Sequence, residues 1–101
     1  MNKTFISAIL ALTVLGAVAA TPEQCKLRGQ VYGSIALDRD RGVSEAESKR
    51  KISNFLKREA PGAERSTAAF ETIASIYRGK LEKESPESIR DFFEWQCMKD
   101  S

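Results

Sequence analysis

The chain has 101 residues, with 16 lysine and arginine residues, 14 acidic residues and no histidine, which gives a formal net charge of +2. This length suffices for one small domain, and the near balance of charges argues against a dedicated nucleic-acid-binding protein. The absence of histidine excludes Ser-His-Asp and Cys-His catalysis, and two cysteines alone cannot complete a structural zinc site.

The first twenty residues have the composition of a secretory signal peptide. Lys3 precedes an apolar run from Phe5 to Val18, which is shorter than the roughly 20 residues that span a bilayer. The small residues before the boundary after Ala20 suit a signal peptidase. We therefore expect a signal peptide over 1–20 and a single exported domain over 21–101, periplasmic or secreted and without a transmembrane segment.

The first predicted helix begins after Thr21, where Gln24 completes a capping box, and it ends at Gly42. Gly29 and Gly33 share one face of this helix because they are four residues apart. They either allow a second helix to approach closely or are simply two weak helix positions.

The second predicted helix begins after Ser44, with Glu47 in place for another capping box, and ends at Pro61 and Gly62. It contains the most basic run of the chain. Three residues of this run are candidates for contact with a partner: Lys49, Arg50 and Lys51. The alternative interpretation is a solvated helix face.

The third predicted helix extends from residue 63 or 64 to Leu81 and has the clearest amphipathic pattern. The fourth begins after Ser85, with Pro86 at its first position. Its apolar face consists of Ile89, Phe92, Phe93 and Cys97. Because the connections are short, neighbouring helices should be antiparallel. The sequence predicts an all-α fold, a compact bundle of four short helices.

Cys25 and Cys97 are the only cysteines, and each lies near one end of the predicted domain. In an oxidising compartment such a pair forms a disulfide. Redox-active pairs usually lie closer together, as in Cys-x-x-Cys, so a structural bond is favoured. A bond across this loop should restrict the unfolded chain by about 4 kcal/mol.

Two further features are candidates for contact with a partner. Arg39 and Asp40 lie in the densest charged cluster, which could also be a solvated helix end with local ion pairs. Trp95 lies off the apolar face of the fourth helix, where it is either an exposed binding residue or a cover over the disulfide. No motif for catalysis, metal binding or a cofactor is present, so we expect a protein without enzymatic activity or cofactor.

A set of residues spread along the chain carries a likeness to a known group: a cysteine in the first helix, Ala36, Arg39, Asp40, Gly42, Ser44, Ile73, Ile76, Tyr77, Ser85, Pro86, Phe92 or Phe93, and Cys97. With these the chain resembles small exported, disulfide-tied helical bacterial proteins of uncharacterised function. It departs from them at Lys80, where we associate a proline with that family. In size and layout it is also similar to periplasmic immunity proteins that neutralise cell-wall-degrading effectors.

These observations favour a protein-binding or inhibitor/immunity-type module that contacts an envelope or secreted protein, without nucleic acid. The alternative is a stress-responsive periplasmic chaperone-like protein that exposes its apolar faces in acid or on reduction. Because the chain has no histidine, an acid response would have to come from carboxylates, well below neutral pH. The sequence leaves the oligomeric state open.

Overall fold

The computed structural model describes residues 20–62 and 67–100, which form four helices and no strand. The helices are α1 (Pro22–Asp40), α2 (Glu45–Glu59), α3 (Thr67–Arg78) and α4 (Pro86–Lys99). The predicted all-α bundle is confirmed. The predicted signal peptide lies outside the described residues except for Ala20, and so does the predicted start of the third helix. Across the described ranges, no helix combines the length and apolar character needed to cross a membrane.

The predicted helix starts are set by capping side chains. Thr21 Oγ1 accepts a hydrogen bond from the backbone N–H of Gln24 at 3.1 Å, and Gln24 Oε1 accepts one from the backbone N–H of Thr21 at 2.9 Å. This reciprocal pair satisfies two backbone donors that the first turn of a helix leaves free. Ser44 likewise caps α2 through the N–H of Glu47. The Glu47 carboxylate pairs with Arg50, so only the first half of the second predicted capping box is present.

α1 packs most extensively against α4, and its two glycines lie in that interface. A Cβ atom at Gly29 would be 2.5 Å from the backbone carbonyl oxygen of Arg90, and one at Gly33 would be 3.1 Å from that of Pro86. Both distances are shorter than ordinary van der Waals contact. The glycines therefore allow the close approach of a second helix, the first of the two alternatives that the sequence left open.

The predicted disulfide is present at one end of the α1–α4 interface. Cys25 in the first turn of α1 is bonded to Cys97 near the end of α4, with 5.3 Å between their Cα atoms. Both residues are buried. The bond thus joins the first and last helices at the point where they begin to pack against each other.

All four helices contribute to one hydrophobic core. Its buried members are Ile35, Ala36, Ile52, Ile73, Ile76 and Ile89. Full burial of an isoleucine side chain contributes about 1.5–3 kcal/mol to stability. This core holds α4 in place from its inner side, through Ile89 and the partly buried Phe93.

A buried hydrogen-bonded cluster fixes the turn between α1 and α2 against α3. Tyr77 Oη donates to the backbone carbonyl oxygen of Val43 at 2.7 Å. Since its only proton is used there, Ser48 Oγ, 2.6 Å from Tyr77 Oη, must be the donor in the second contact. Ser48 is fully buried, and this contact satisfies its hydroxyl group.

The third helix ends three residues earlier than predicted, at Arg78 instead of Leu81. The backbone N–H of Leu81 donates to the carbonyl oxygen of Ser75 at 3.1 Å, so the chain turns sharply here. Arg39 reaches across from α1 and donates to the carbonyl oxygen of Ile76. The Leu81 side chain still packs against the core, which is why it fits the apolar periodicity of α3.

Candidate functional site

Three large apolar side chains are exposed together on the outer face of α4. We call this set, Phe92, Trp95 and Met98, the α4 aromatic patch. Their exposed fractions are 41%, 56% and 46%. The ring centroids of Phe92 and Trp95 are 6.3 Å apart, and the Lys99 ammonium group lies 4.7 Å from the Trp95 ring centroid. Exposed tryptophan of this kind is enriched at binding hot spots.

Trp95 does not lie on the side of α4 that contains the disulfide. At about 100° per residue, Trp95 and Cys97 are separated by about 200° around the helix. The more than half-exposed indole agrees with this placement. Of the two alternatives for Trp95, the structure therefore favours the exposed position over a cover on the disulfide.

The patch is attached to the core through Phe93. The ring of Phe92 meets that of Phe93 edge to face, with 5.1 Å between centroids. Phe93 in turn lies 4.6 Å from the ring of Tyr32 on α1. Burial raises the pKa of the Tyr32 hydroxyl, and a hydrogen bond from Thr72 and the charge of Arg28 act against this increase. The patch thus stands on a rigid helix, which suits a preformed binding surface.

Arg39, a sequence candidate for partner contact, is used inside the molecule. Its side chain is only 12% exposed. The guanidinium group donates to three backbone carbonyl oxygens, of Ile76 at 3.0 Å, Leu81 at 3.1 Å and Glu84 at 2.7 Å. It also pairs with the half-exposed carboxylate of Asp40 at 2.9 Å. Arg39 therefore caps the end of α3 and the following turn, and the structure does not bring it together with Trp95.

The basic run of α2 is paired with carboxylates of the same chain. Lys49 pairs with Glu45 at 3.1 Å and Lys51 with Asp38 at 2.9 Å. Arg50 pairs with Glu47 in the same helix. These pairs reduce the net positive field that a phosphate or an acidic partner would meet at this face.

Two of these carboxylates have lowered pKa values. Hydrogen bonding to Arg78 is the largest cause that lowers the pKa of Glu45, and Lys49 adds to it. Hydrogen bonding to Arg50 lowers the pKa of Glu47. The Glu45–Arg78 contact, at 2.9 Å, connects the start of α2 to the end of α3. The Glu47–Arg50 pair, by contrast, lies within α2.

An open apolar cleft of about 270 Å³ lies between α1 and α2, with lining residues that include Leu27, Val31, Phe55 and Leu56. Two charged residues, Arg28 and Glu59, also line it. Within residues 20–62 and 67–100, no group of three or more histidine, cysteine or acidic residues could hold a metal ion.

The sequence identified Trp95 but not the patch around it. Phe92 belonged to the predicted apolar face of the fourth helix, yet it is exposed. Met98 carried no signal of its own. A helical projection centred on Trp95 is the signal that would have grouped the three residues. Phe92 and Met98 each lie three positions from Trp95, which places each about 60° from it around the helix.

Comparison with known proteins adds no relative to this description. No protein-family model, no curated protein and no solved structure matches the chain.

Proposed function

We propose that this is an exported protein-binding module of the inhibitor or immunity type, without enzymatic activity, that docks on an envelope or secreted protein through the α4 aromatic patch. The observation that carries the proposal is the exposure of Phe92, Trp95 and Met98 on one helix face. Exposure of large apolar side chains to water is unfavourable, and contiguous patches of them mark interaction sites.

Two properties of the fold support a binding role. The disulfide and the close α1–α4 packing make α4 a rigid platform, so little conformational entropy is lost when a partner docks. Trp95 is also the residue type that most often dominates binding energy when it enters a partner's pocket. Export is supported by the buried disulfide, which persists in oxidising compartments.

The test is affinity capture with the tagged, oxidised protein, expressed with residues 1–20 in place. Envelope and secreted fractions are passed over wild type, Trp95→Ala and Leu27→Ala. Leu27 is the matched control because it is an exposed apolar residue of α1 that lies at the cleft with α2, away from the patch. We expect one dominant stoichiometric partner with wild type and Leu27→Ala. Trp95→Ala should weaken binding by about 2 kcal/mol or more, roughly 30-fold.

Capture of the same partner by Trp95→Ala at wild-type affinity would contradict the proposed site. Mass spectrometry of the mature protein tests export directly, because cleavage after Ala20 leaves Thr21 as the first residue. An uncleaved protein in the cytoplasmic fraction would contradict the proposed localisation.

A further inference from the structure

The net charges of α2 and α4 have opposite signs. Within the described residues, no Cα atom of α2 lies within 8 Å of a Cα atom of α4. α2 has an excess of two cations over carboxylates, whereas α4 has an excess of one carboxylate over cations. The charged residues of α4 are Glu87, Asp91, Glu94, Arg90 and Lys99. The helix that presents the aromatic patch is therefore the acidic one.

The excess negative charge lies beside the patch. At about 100° per residue, Glu87, Asp91 and Glu94 project to one side of Trp95, within about 100° of it. Arg90 is 3.7 Å from the Glu87 carboxylate and 3.1 Å from that of Asp91, so one guanidinium group serves two carboxylates. Both carboxylates are largely exposed. We call Glu87, Asp91 and Glu94 the acidic flank.

We propose that the partner of the α4 aromatic patch is a basic polypeptide, with an apolar pocket for Trp95 and lysine or arginine residues that face the acidic flank. This inference rests on the proposed function and specifies the chemistry of its partner. Interfaces commonly combine an apolar centre with a charged rim. Complementary charge at that rim raises the association rate and excludes partners of the wrong sign.

The same carboxylates disfavour binding of the patch to an anionic membrane, the other kind of surface that exposed aromatic residues often contact. Tryptophan and phenylalanine also insert into lipid interfaces, where basic residues strengthen binding to anionic headgroups. Here Lys99 lies over the Trp95 ring, but three carboxylates form the neighbouring flank. An anionic membrane would meet a repulsive edge, whereas a basic polypeptide would meet an attractive one.

The experiment uses Trp95 as its own reporter, because it is the only tryptophan of the chain. The oxidised protein is titrated with two synthetic amphipathic peptides that share one leucine pattern. One peptide has lysine and the other glutamate at every polar position. With the lysine peptide at low salt we expect a blue shift of the Trp95 fluorescence and at least about tenfold tighter binding than with the glutamate peptide. This difference in affinity should become smaller at 0.15 M salt, where the Debye length is about 8 Å.

A pair of neutralising substitutions tests the acidic flank. Glu87→Gln/Asp91→Asn should lower the affinity for the lysine peptide about fivefold or more while the Trp95 spectrum of the free protein stays unchanged. The matched control is Glu59→Gln/Glu71→Gln, which removes the same charge from exposed positions on α2 and α3. We expect this control to bind like wild type. Circular dichroism checks that both variants are folded.

Equal affinity for the two peptides, or no response of Trp95 to the lysine peptide, would overturn the inference. So would a larger fluorescence shift with phosphatidylglycerol vesicles than with the lysine peptide, since the patch would then face lipid. The two proposals can fail separately. If capture of the natural partner needs Trp95 but is unaffected by Glu87→Gln/Asp91→Asn, the charge inference is wrong and the binding function stands.

Discussion

Replacement of Gly29 by alanine should destabilise the fold more than any other single methyl addition along α1. The new Cβ atom would be 2.5 Å from the carbonyl oxygen of Arg90 and 3.1 Å from Cβ of Glu94. The first distance is about 0.9 Å short of ordinary van der Waals contact, and the atom it meets belongs to the backbone. α1 and α4 must therefore move apart, since no side chain can rotate away.

The expected cost follows from two opposing contributions. Overpacking of this kind costs about 1–3 kcal/mol, and a backbone contact belongs at the upper end. Alanine recovers about 1 kcal/mol of helix propensity relative to glycine. The net loss is then about 2 kcal/mol, which corresponds to a decrease in Tm of roughly 8–16 °C for a domain of this size.

Thermal unfolding of the oxidised protein, followed by circular dichroism, measures this decrease. Gly33→Ala should show a smaller loss, because its closest contacts are 3.0 Å and 3.1 Å. Ser34→Ala, at an exposed position of the same helix, should match or slightly exceed wild-type stability. A Gly29→Ala protein as stable as the Ser34→Ala protein would refute the close approach of α1 and α4.

Three other substitutions have distinct expected outcomes. Arg39→Lys should lower the free energy of unfolding by about 1.5–3 kcal/mol in urea titrations, because an ammonium group cannot replace the planar guanidinium at three carbonyl oxygens. Arg41→Lys, at an exposed position, is the control. Equal stability of the two variants would exclude the capping role of Arg39. Tyr77→Phe should lower the free energy of unfolding by about 1–3 kcal/mol in the same measurement, since it leaves the Ser48 hydroxyl and the Val43 carbonyl oxygen without the tyrosine hydroxyl. A loss below about 0.5 kcal/mol would contradict these two hydrogen bonds. Because ion pairing lowers the pKa of Glu45 in the native state, its stabilisation is present at neutral pH and is lost as pH falls through that lowered pKa. Glu45→Gln should therefore reduce Tm less at pH 3 than at pH 7, while Glu59→Gln leaves Tm unchanged at both. An equal reduction at both pH values would contradict the ion-pair explanation.

Much of this fold is predictable because its signals are local. Thr21, Ser44 and Ser85 each accept a hydrogen bond from a backbone N–H three residues later, so a short window of sequence contains the whole interaction. The disulfide was equally predictable, because two cysteines can form only one intramolecular pair. For the glycines of α1, the four-residue spacing gave a close helix contact as one of two alternatives, and the packing of α4 decided between them.

The features that escaped prediction depend on distant partners. Arg39 donates to backbone carbonyl oxygens 37 to 45 residues away, and carbonyl groups leave no mark in the sequence. The end of α3 depends on the same contacts, so apolar periodicity extended that helix to Leu81. At the binding surface, Trp95 was identified by its residue type, but the exposure of Phe92 depends on which of two adjacent phenylalanines faces the core.

The Cys25–Cys97 connection has a consequence for the order in which the protein assembles. Because the main packing surface of α1 is α4, α1 cannot bury its glycine-bearing face until α4 has been synthesised. Such contacts between distant parts of a chain form slowly. The disulfide can form only after residue 97 has been synthesised. A chain cut short within α4 would leave the glycine-bearing face of α1 exposed.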